Sequence, residues 1–441
     1  MSPAWTGGAD AAGISLWKAV NAPSPPPDAL DGELLTDVLI IGAGIAGLSL
    51  GLHLGTHQAD TVILEAEDDA NAATGASAGI VAPQLVRTTP AAVVETLGED
   101  IGSRLLRTIA ASGHYTFDII NRFGIDCGAR QAGFLNPVAG QHGARAHERI
   151  VREWMPFRDD LRLIDSAQVR NLSGCRGYSA GLLDPSGGSL DPLAYSRGLA
   201  RAARRAGVTL HYNSRVLTLT RSGAAWLART ASGEVTARHV VLCANGGNTS
   251  LHPALARTVL PLPVYEVATR PLPADMRAKI LPRDHALTDS STDVFSIRFD
   301  TAGRLITAHP GGRRKLDIAQ LEHLVNRRLE SLIPEYRATP LEYAWHGTAW
   351  LNSSLLPRVT LADEGLMAIQ ACNGRGIAMN TIIGRELAQW IANPSAGPPG
   401  VPLEAPHRVA GFMFARYLPA LMTGGAALTK RTLEKLGWSS R

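Results

Sequence analysis

The residues whose types and spacing most directly imply chemistry are Gly42-Ala43-Gly44-Ile45-Ala46-Gly47, followed about 20 residues on by Glu65. Each glycine of such a run has its own task. Gly42 permits a tight turn, Gly44 admits a pyrophosphate against bare backbone, and Gly47 lets the following helix pack closely on its sheet. Free N–H groups and the positive dipole end at that helix start then face the phosphates. Glu65, with Ala66 beside it, stands where an acid accepts ribose hydroxyls and repels a 2′-phosphate. The pattern predicts a dinucleotide site and by itself does not choose between a flavin and a nicotinamide dinucleotide.

Such a site needs a strand before the glycines and a helix after them. Residues 37–41 (Asp-Val-Leu-Ile-Ile) predict a buried parallel strand, residues 48–54 an apolar helix and residues 61–64 a second strand. Thr74-Gly75-Ala76-Ser77-Ala78-Gly79 is a loop of small side chains that permits backbone contact with a flat ring system. Asp191-Pro192 reads as an N-cap and first helical residue, for a helix running to Arg205 and stopped by Gly207. Strands are predicted over 209–212, 215–219, 225–229 and 235–243, with turns at Ser222-Gly223 and Ser232-Gly233. The last ends in Ala244-Asn245-Gly246-Gly247, where a ligand can lie close to the backbone. Further strands are expected over 294–299, 304–308 and 341–346, and a helix over 317–332 capped by Asp317. A second strand-to-helix junction runs from residues 365–372 through Asn373-Gly374-Arg375-Gly376-Ile377-Ala378 into a helix over 379–391.

Bulk properties exclude several classes. A chain of 441 residues that is 45% apolar and 19% charged buries a large core and suggests two interleaved domains. A net charge of +4 with scattered basic residues gives nucleic-acid binding no electrostatic basis. The four cysteines, Cys127, Cys175, Cys243 and Cys372, form no CxxC pair, so neither a disulfide framework nor a metal site is expected. No basic stretch followed by an apolar one opens the chain, and a cytoplasmic location is the expectation. The apolar run 38–52 is too short to span a membrane and is broken by glycines. The stretch to residue 30, with Pro23, Pro25, Pro26 and Pro27, reads as an extended arm. The tail over 412–438 has helical apolar spacing with Lys430, Arg431 and Lys435, for a helix docked on the body or, alternatively, touching a membrane surface.

Taken in order, these segments resemble the D-amino-acid oxidase-like (DAO) family of FAD-dependent oxidoreductases, in particular its γ-glutamylputrescine oxidase and glycine/sarcosine oxidase group. The resemblance spans residues 15–390. It rests on Asp37-Val-Leu-Ile-Ile-Gly-Ala-Gly44, the Gly75-Ala-Ser77 loop, Leu190-Asp-Pro192, Val240-Val-Leu-Cys-Ala-Asn-Gly246 and Asn373-Gly-Arg-Gly-Ile-Ala378. It implies an α/β plus α+β fold: a discontinuous Rossmann-type FAD domain (residues 31–95, 180–255 and 342–395) interleaved with a substrate domain on a mixed or antiparallel sheet (96–179 and 256–341). An arm (1–30) and a helical tail (400–441) flank them. By the same resemblance, residues 74–81, Ile80 included, run along the flavin ring, and Val216 offers a backbone group to the adenine. Ala244, Asn245 and Gly246 line the cofactor, as does Trp350, and Asn373 to Ala378 meet the pyrimidine end. There a helix start stabilises negative charge on the reduced ring.

Two departures from the family stand out. Arg375 replaces a histidine common between the paired glycines, giving a fixed charge for a titrating one. No Cys or His matches the positions used for covalent attachment, so the FAD is expected to be non-covalent and Cys372 an inert buried residue. The implied activity is oxidation of a carbon–nitrogen bond in a small amine or N-substituted amino acid. Hydride passes to the flavin, the imine is hydrolysed, and oxygen or another acceptor reoxidises the cofactor. Tyr265, Arg298, Trp345 and His346, with Arg375, are the candidates for the catalytic face. Aromatic side chains attract an amine, and Arg298 is placed as a partner for a substrate carboxylate. The alternatives are a membrane-associated or complex-bound FAD dehydrogenase subunit and a flavin hydroxylase.

Overall fold

The computed structural model describes residues 13–23, 28–68, 73–291, 295–311, 316–417 and 419. Two large sheets share these residues. The first has nine strands. Its spine runs Leu403–Glu404, Arg358–Asp363, Leu366–Gln370, Gly233–Leu242, Gly32–Ile41, Thr61–Leu64, Thr209–His211, and a hairpin of Thr218–Ser222 and Ala225–Arg229 hangs from Gly233–Leu242. Its centre is parallel: Ile41 lies level with Leu242 on one side and Leu64 on the other. Burial on both faces explains the unbroken aliphatic run at Val38 to Ile41. The helix Ile45–Thr56 is buried along nearly its whole length, packed between Gly376–Ala392 and Pro192–Arg205. That is why its sequence is apolar all round rather than on one stripe. Asp191 caps Pro192–Arg205 through its side chain, and Asp317 and Gln320 form a capping box on Ile318–Leu332.

The second sheet has eight strands in the order Leu341–Asn352, Val259–Pro271, Arg304–Pro310, Ser296–Phe299, Ala286–Thr288, Phe134–Val138, Ala180–Asp184, Arg162–Asp165. All neighbours are antiparallel except Ala286–Thr288 beside Phe134–Val138. Val259–Pro271 contains Pro261 and Pro263, residues that argue against an inner strand. Both lie where this strand pairs with Leu341–Asn352 alone. Pairing with Arg304–Pro310 begins only at Val264, and past its end the Pro263 carbonyl still accepts the Gly311 N–H (3.0 Å), so the prolines sit where the ladder on that side runs out.

Several expectations need correction. Leu341–Asn352 runs to Asn352 instead of stopping at 346, and it and Ala180–Asp184 belong to the second sheet although their segments were assigned to the FAD domain. The helix Glu99–Arg122, in a segment assigned to the substrate domain, packs on Gly376–Ala392 within the core that surrounds the nucleotide-binding helix. The strand expected over 215–219 is Thr218–Ser222, and the last long helix starts at Gly376, not 379. The arm is not simply extended: Leu16–Val20 is a short helix whose Trp17 packs edge-on against Trp345. The prolines at 25–27, Val294, and the tail's Lys430, Arg431 and Lys435 lie outside the described residues. Among the described residues no helix is long and apolar enough to cross a membrane.

Candidate functional site

Between the carboxyl ends of the parallel strands and one face of the second sheet lies a cavity of about 1160 Å³. This exceeds the roughly 300–1,000 Å³ of a pocket for one small ligand. At its first end the wall is mostly backbone. Gly42 turns at φ +110°, and a Cβ there would meet the Ala244 and Cys243 backbone at 2.9 Å. A Cβ on Gly47 would lie 2.0 Å from the Gly42 carbonyl, so the helix presses directly on the turn. Glu65 lines the cavity and braces this turn. Its Oε2 accepts the Ala43 N–H (2.7 Å) and its Oε1 the Glu67 N–H (3.2 Å), while burial pushes its carboxyl above the usual range.

The two neighbouring strands end in asparagines that adopt the left-handed region, Asn245 at φ 54° and Asn373 at φ 40°, a conformation Asn tolerates better than most residues. Asn373 accepts the Asn352 N–H with Oδ1 (3.0 Å), and its buried Nδ2 on the cavity wall has no partner. Arg375 caps the helix Gly376–Ala392, donates to the Leu85 carbonyl (3.3 Å) and lies 5.6 Å over the Phe134 ring. Burial, then Arg87, lowers its pKa to about 10.

Most residues singled out for the cofactor meet this one cavity: Gly42, Gly44, Ile45, Ala46, Glu65, Ala66, Thr74, Ala76, Ser77, Ala78, Ile80, Val216, Ala244, Asn245, Trp350, Asn373, Gly374, Gly376 and Ile377, together with Arg375. Others stand just behind the wall. Ala43 reaches it through the bond to Glu65, and Gly47 through the turn. Gly246 packs on the Trp350 indole, and Gly79 lies against Leu190 and Arg298. Gly75 and Ala378 are buried outside the lining. Cys372, expected to be buried and inert, is half-buried on the wall itself.

The expected substrate face needs correction, because a strand alternates its side chains. Leu260, Leu262, Val264 and Glu266 face the cavity. Tyr265 therefore points the other way, into the apolar cluster behind the sheet, where its hydroxyl accepts the Leu316 N–H (3.2 Å). His346, paired with Tyr265, is exposed on that same outer face. Trp345 is on the cavity side but buried under the loop, its indole N–H donating to the Ala76 carbonyl (3.0 Å). Arg298 has no free fork for a carboxylate. Its guanidinium donates to the carbonyls of Ala78 (2.6 Å), Leu190 (2.9 Å) and Phe299 (3.2 Å) and stacks 4.8 Å from Trp17. It is a brace that fastens the small-residue loop to the sheet.

What the sequence reading missed is the polar part of the sheet face. Asn136, Asp289 and Ser296 line the cavity, as does His147, whose Nε2 donates to the Asn136 carbonyl (2.9 Å). Glu266 lines it too, is 8% exposed, and carries a buried Oε2 with no hydrogen-bond partner. Burial pushes its carboxyl up to about 8, against the opposing pull of Arg298. The signal was present: residues 260, 262, 264 and 266 read Leu, Leu, Val, Glu, a single acid in phase with an aliphatic face.

Comparison with known proteins gives the following. The family described as FAD dependent oxidoreductase (DAO) matches residues 37–390. The chain is 26% identical to gamma-glutamylputrescine oxidoreductase of Escherichia coli (strain K12) over 83% of its own length and 86% of that protein's. Glycine oxidase from Geobacillus kaustophilus superposes with a TM-score of 0.66 at 19% identity, covering 81% of this chain and 94% of that one. L-alpha-glycerophosphate oxidase from Mycoplasma pneumoniae, with FAD bound, gives 0.65 at 14% identity, covering 84% and 98%.

Proposed function

We propose, from the premise that this chain belongs to the DAO family of FAD-dependent oxidoreductases, that it oxidises a carbon–nitrogen bond of a small amine or N-substituted amino acid. FAD fits the residues present. The backbone turn at Gly42 and Gly44, the acid Glu65 and the unpaired donor Asn373 Nδ2 supply a surface bare of side chains, a ribose acceptor and an unfilled hydrogen bond along one continuous wall. When bound, FAD supplies the two-electron acceptor, later reoxidised by oxygen or another acceptor.

The protein's own residues hold, orient and desolvate. Ala76 to Ala78, fastened by Arg298 and Trp345, keep the loop flush with the wall. Arg375 and the start of its helix place positive charge at the far end, where they favour a developing negative charge. Leu260, Leu262 and Val264 exclude water on the sheet side. An aliphatic ammonium with a pKa of roughly 10 arrives protonated, and an apolar wall penalises that form. The fold is neutral between amine and alcohol, since a glycerophosphate oxidase has it. The observation that carries the amine reading is the cavity-facing side of Val259–Pro271, where Leu260, Leu262 and Val264 lead to Glu266, a buried carboxyl that complements a cation. The names of the E. coli relative and the Geobacillus structure point the same way.

Anaerobic stopped-flow reduction with matched amine and alcohol pairs tests this. Amines or amino acids are expected to reduce the flavin, with a rate that rises with pH through one deprotonation, while alcohols and 2-hydroxy acids are inert. Reduction by a hydroxy acid with every amine inert would refute the assignment.

A further inference from the structure

We propose that Glu266 is the cation-binding residue of the cavity: it pairs with the substrate's protonated nitrogen and takes its proton, leaving the neutral amine that oxidation requires. This rests on the amine reading above.

Buried acids kept for structure are satisfied, and this chain shows the contrast. Asp184 receives Arg158, Gln84 and Ser186, and Asp289 receives Tyr178, Ser291 and the Phe295 N–H. Glu266 is comparably buried, yet its Oε2 has no partner. An unpaired carboxylate in such surroundings is costly, and the group takes up a proton instead. A structural role would be served as well by leucine, which continues the face of Leu260 and Leu262.

The surroundings leave room for a ligand. Across the sheet Glu266 pairs with Ala308 on one side and Trp345 on the other. Trp345 is turned to Ala76 by its indole bond, and Ala308, the small neighbour on the other side, lies with Glu266 on the cavity lining. Of charged groups, Arg298 alone among the described residues acts on it, and that guanidinium is committed to three carbonyls. The 74–79 loop holds no ionisable side chain, and His309 and His346 pair with Tyr265 on the opposite face. An alkylammonium supplies what is missing, a charge and N–H donors.

The proton balance closes without a further reactant. The carboxylic acid of the free protein loses one proton to water as the cation enters. The ammonium N–H bond then breaks, its proton goes to the carboxylate oxygen, and the electron pair stays on nitrogen.

Holoenzyme is titrated at pH 7 with tetramethylammonium, which has no lone pair and is not oxidised. The flavin spectrum reports binding and an indicator dye reports protons. The parent is expected to bind with release of about one proton per site. Glu266→Gln is expected to keep its FAD, bind at least 10-fold more weakly and release none, and Glu266→Asp to recover part of both. With an oxidisable amine, reduction by Glu266→Gln at pH 7 is expected to drop about 100-fold and to recover as pH nears the amine's own pKa of roughly 10. A parent that takes up the cation without releasing a proton, or a Gln variant with the parent's affinity and pH profile, overturns the proposal. If cation binding behaves as expected while no amine reduces the flavin, the cation site stands and the amine-oxidation reading falls.

Discussion

The two ends of the cavity are built by opposite means. At the nucleotide end the working surface is backbone: Gly42, Gly44 and Gly47 are there for the side chains they lack, and Glu65 ties down the turn they make. At the sheet end it is side chain, and the backbone only decides which residues face inward. Leu262, Val264 and Glu266 do, and Tyr265 does not. A surface made of backbone constrains residue type at every position, so it tolerates almost no substitution. A surface made of alternating side chains leaves type free and puts the constraint in the phase.

The harshest way to break that contrast is at the nucleotide end. Gly47→Ala puts a methyl 2.0 Å from the Gly42 carbonyl, a backbone atom that cannot swing aside, so the turn itself must move. Purified protein is expected to be colourless or nearly so, with flavin content by absorbance a small fraction of the parent's. Gly44→Ala is the milder partner: its Cβ meets only the Thr74 hydroxyl at 3.3 Å, and FAD is expected to bind more weakly rather than be lost. Equal flavin content in Gly47→Ala and parent would mean that the helix does not rely on that contact.

At the sheet end the comparison sharpens through pH. Glu266 is raised from 4.5 to about 8 in the folded protein, so between those values the native state holds a proton that the unfolded chain has released. Stability therefore falls as pH rises through that window, by about 1.4 kcal/mol per pH unit at most, and levels off above it. Glu266→Gln removes this slope. Thermal unfolding of parent and variant, compared at each pH from 5 to about 9, is expected to show the variant gaining on the parent as pH rises. Parallel curves would mean that the carboxyl is ionised and paired in the folded protein.

The same contrast decides what could be read in advance. The glycine motif, Glu65 and the asparagine-ended junctions were legible because bare backbone, a tight turn and an acid at fixed distance each demand a residue type. Asp191 and Asp317 were legible as caps for the same local reason. Val259–Pro271 was not, because Pro261 and Pro263 signal breakage and only the stagger of neighbouring strands makes them harmless. Without that strand its phase was unknown, so aromatic and charged residues were chosen by type. Tyr265 and His346 then fell on the outer face while Glu266 went unnoticed. Arg298 and Trp345 were placed in the right region, but their polar atoms are spent on carbonyls of the loop, a contact between residues more than 200 apart that no local pattern encodes.

The gentlest test is a step of one residue along that strand. Tyr265→Phe deletes a hydroxyl that accepts the Leu316 N–H behind the sheet and leaves the ring in its apolar cluster. The expected cost is about 1 kcal/mol of stability, the usual net worth of one hydrogen bond, with KM for the amine unchanged. Val264→Phe, its immediate neighbour, is expected to do the reverse in the assay. Its ring enters the cavity opposite Gly347, where the wall is already tight because a Cβ on Gly347 would lie 2.6 Å from Ala76. KM should rise at least 10-fold while flavin stays bound, because the added volume falls on the substrate side of the wall. A one-residue slip in register exchanges the two faces of a strand. If instead Tyr265→Phe alters KM and Val264→Phe does not, the strand presents its other face to the substrate, and the assignment of Glu266 to the cavity goes with it.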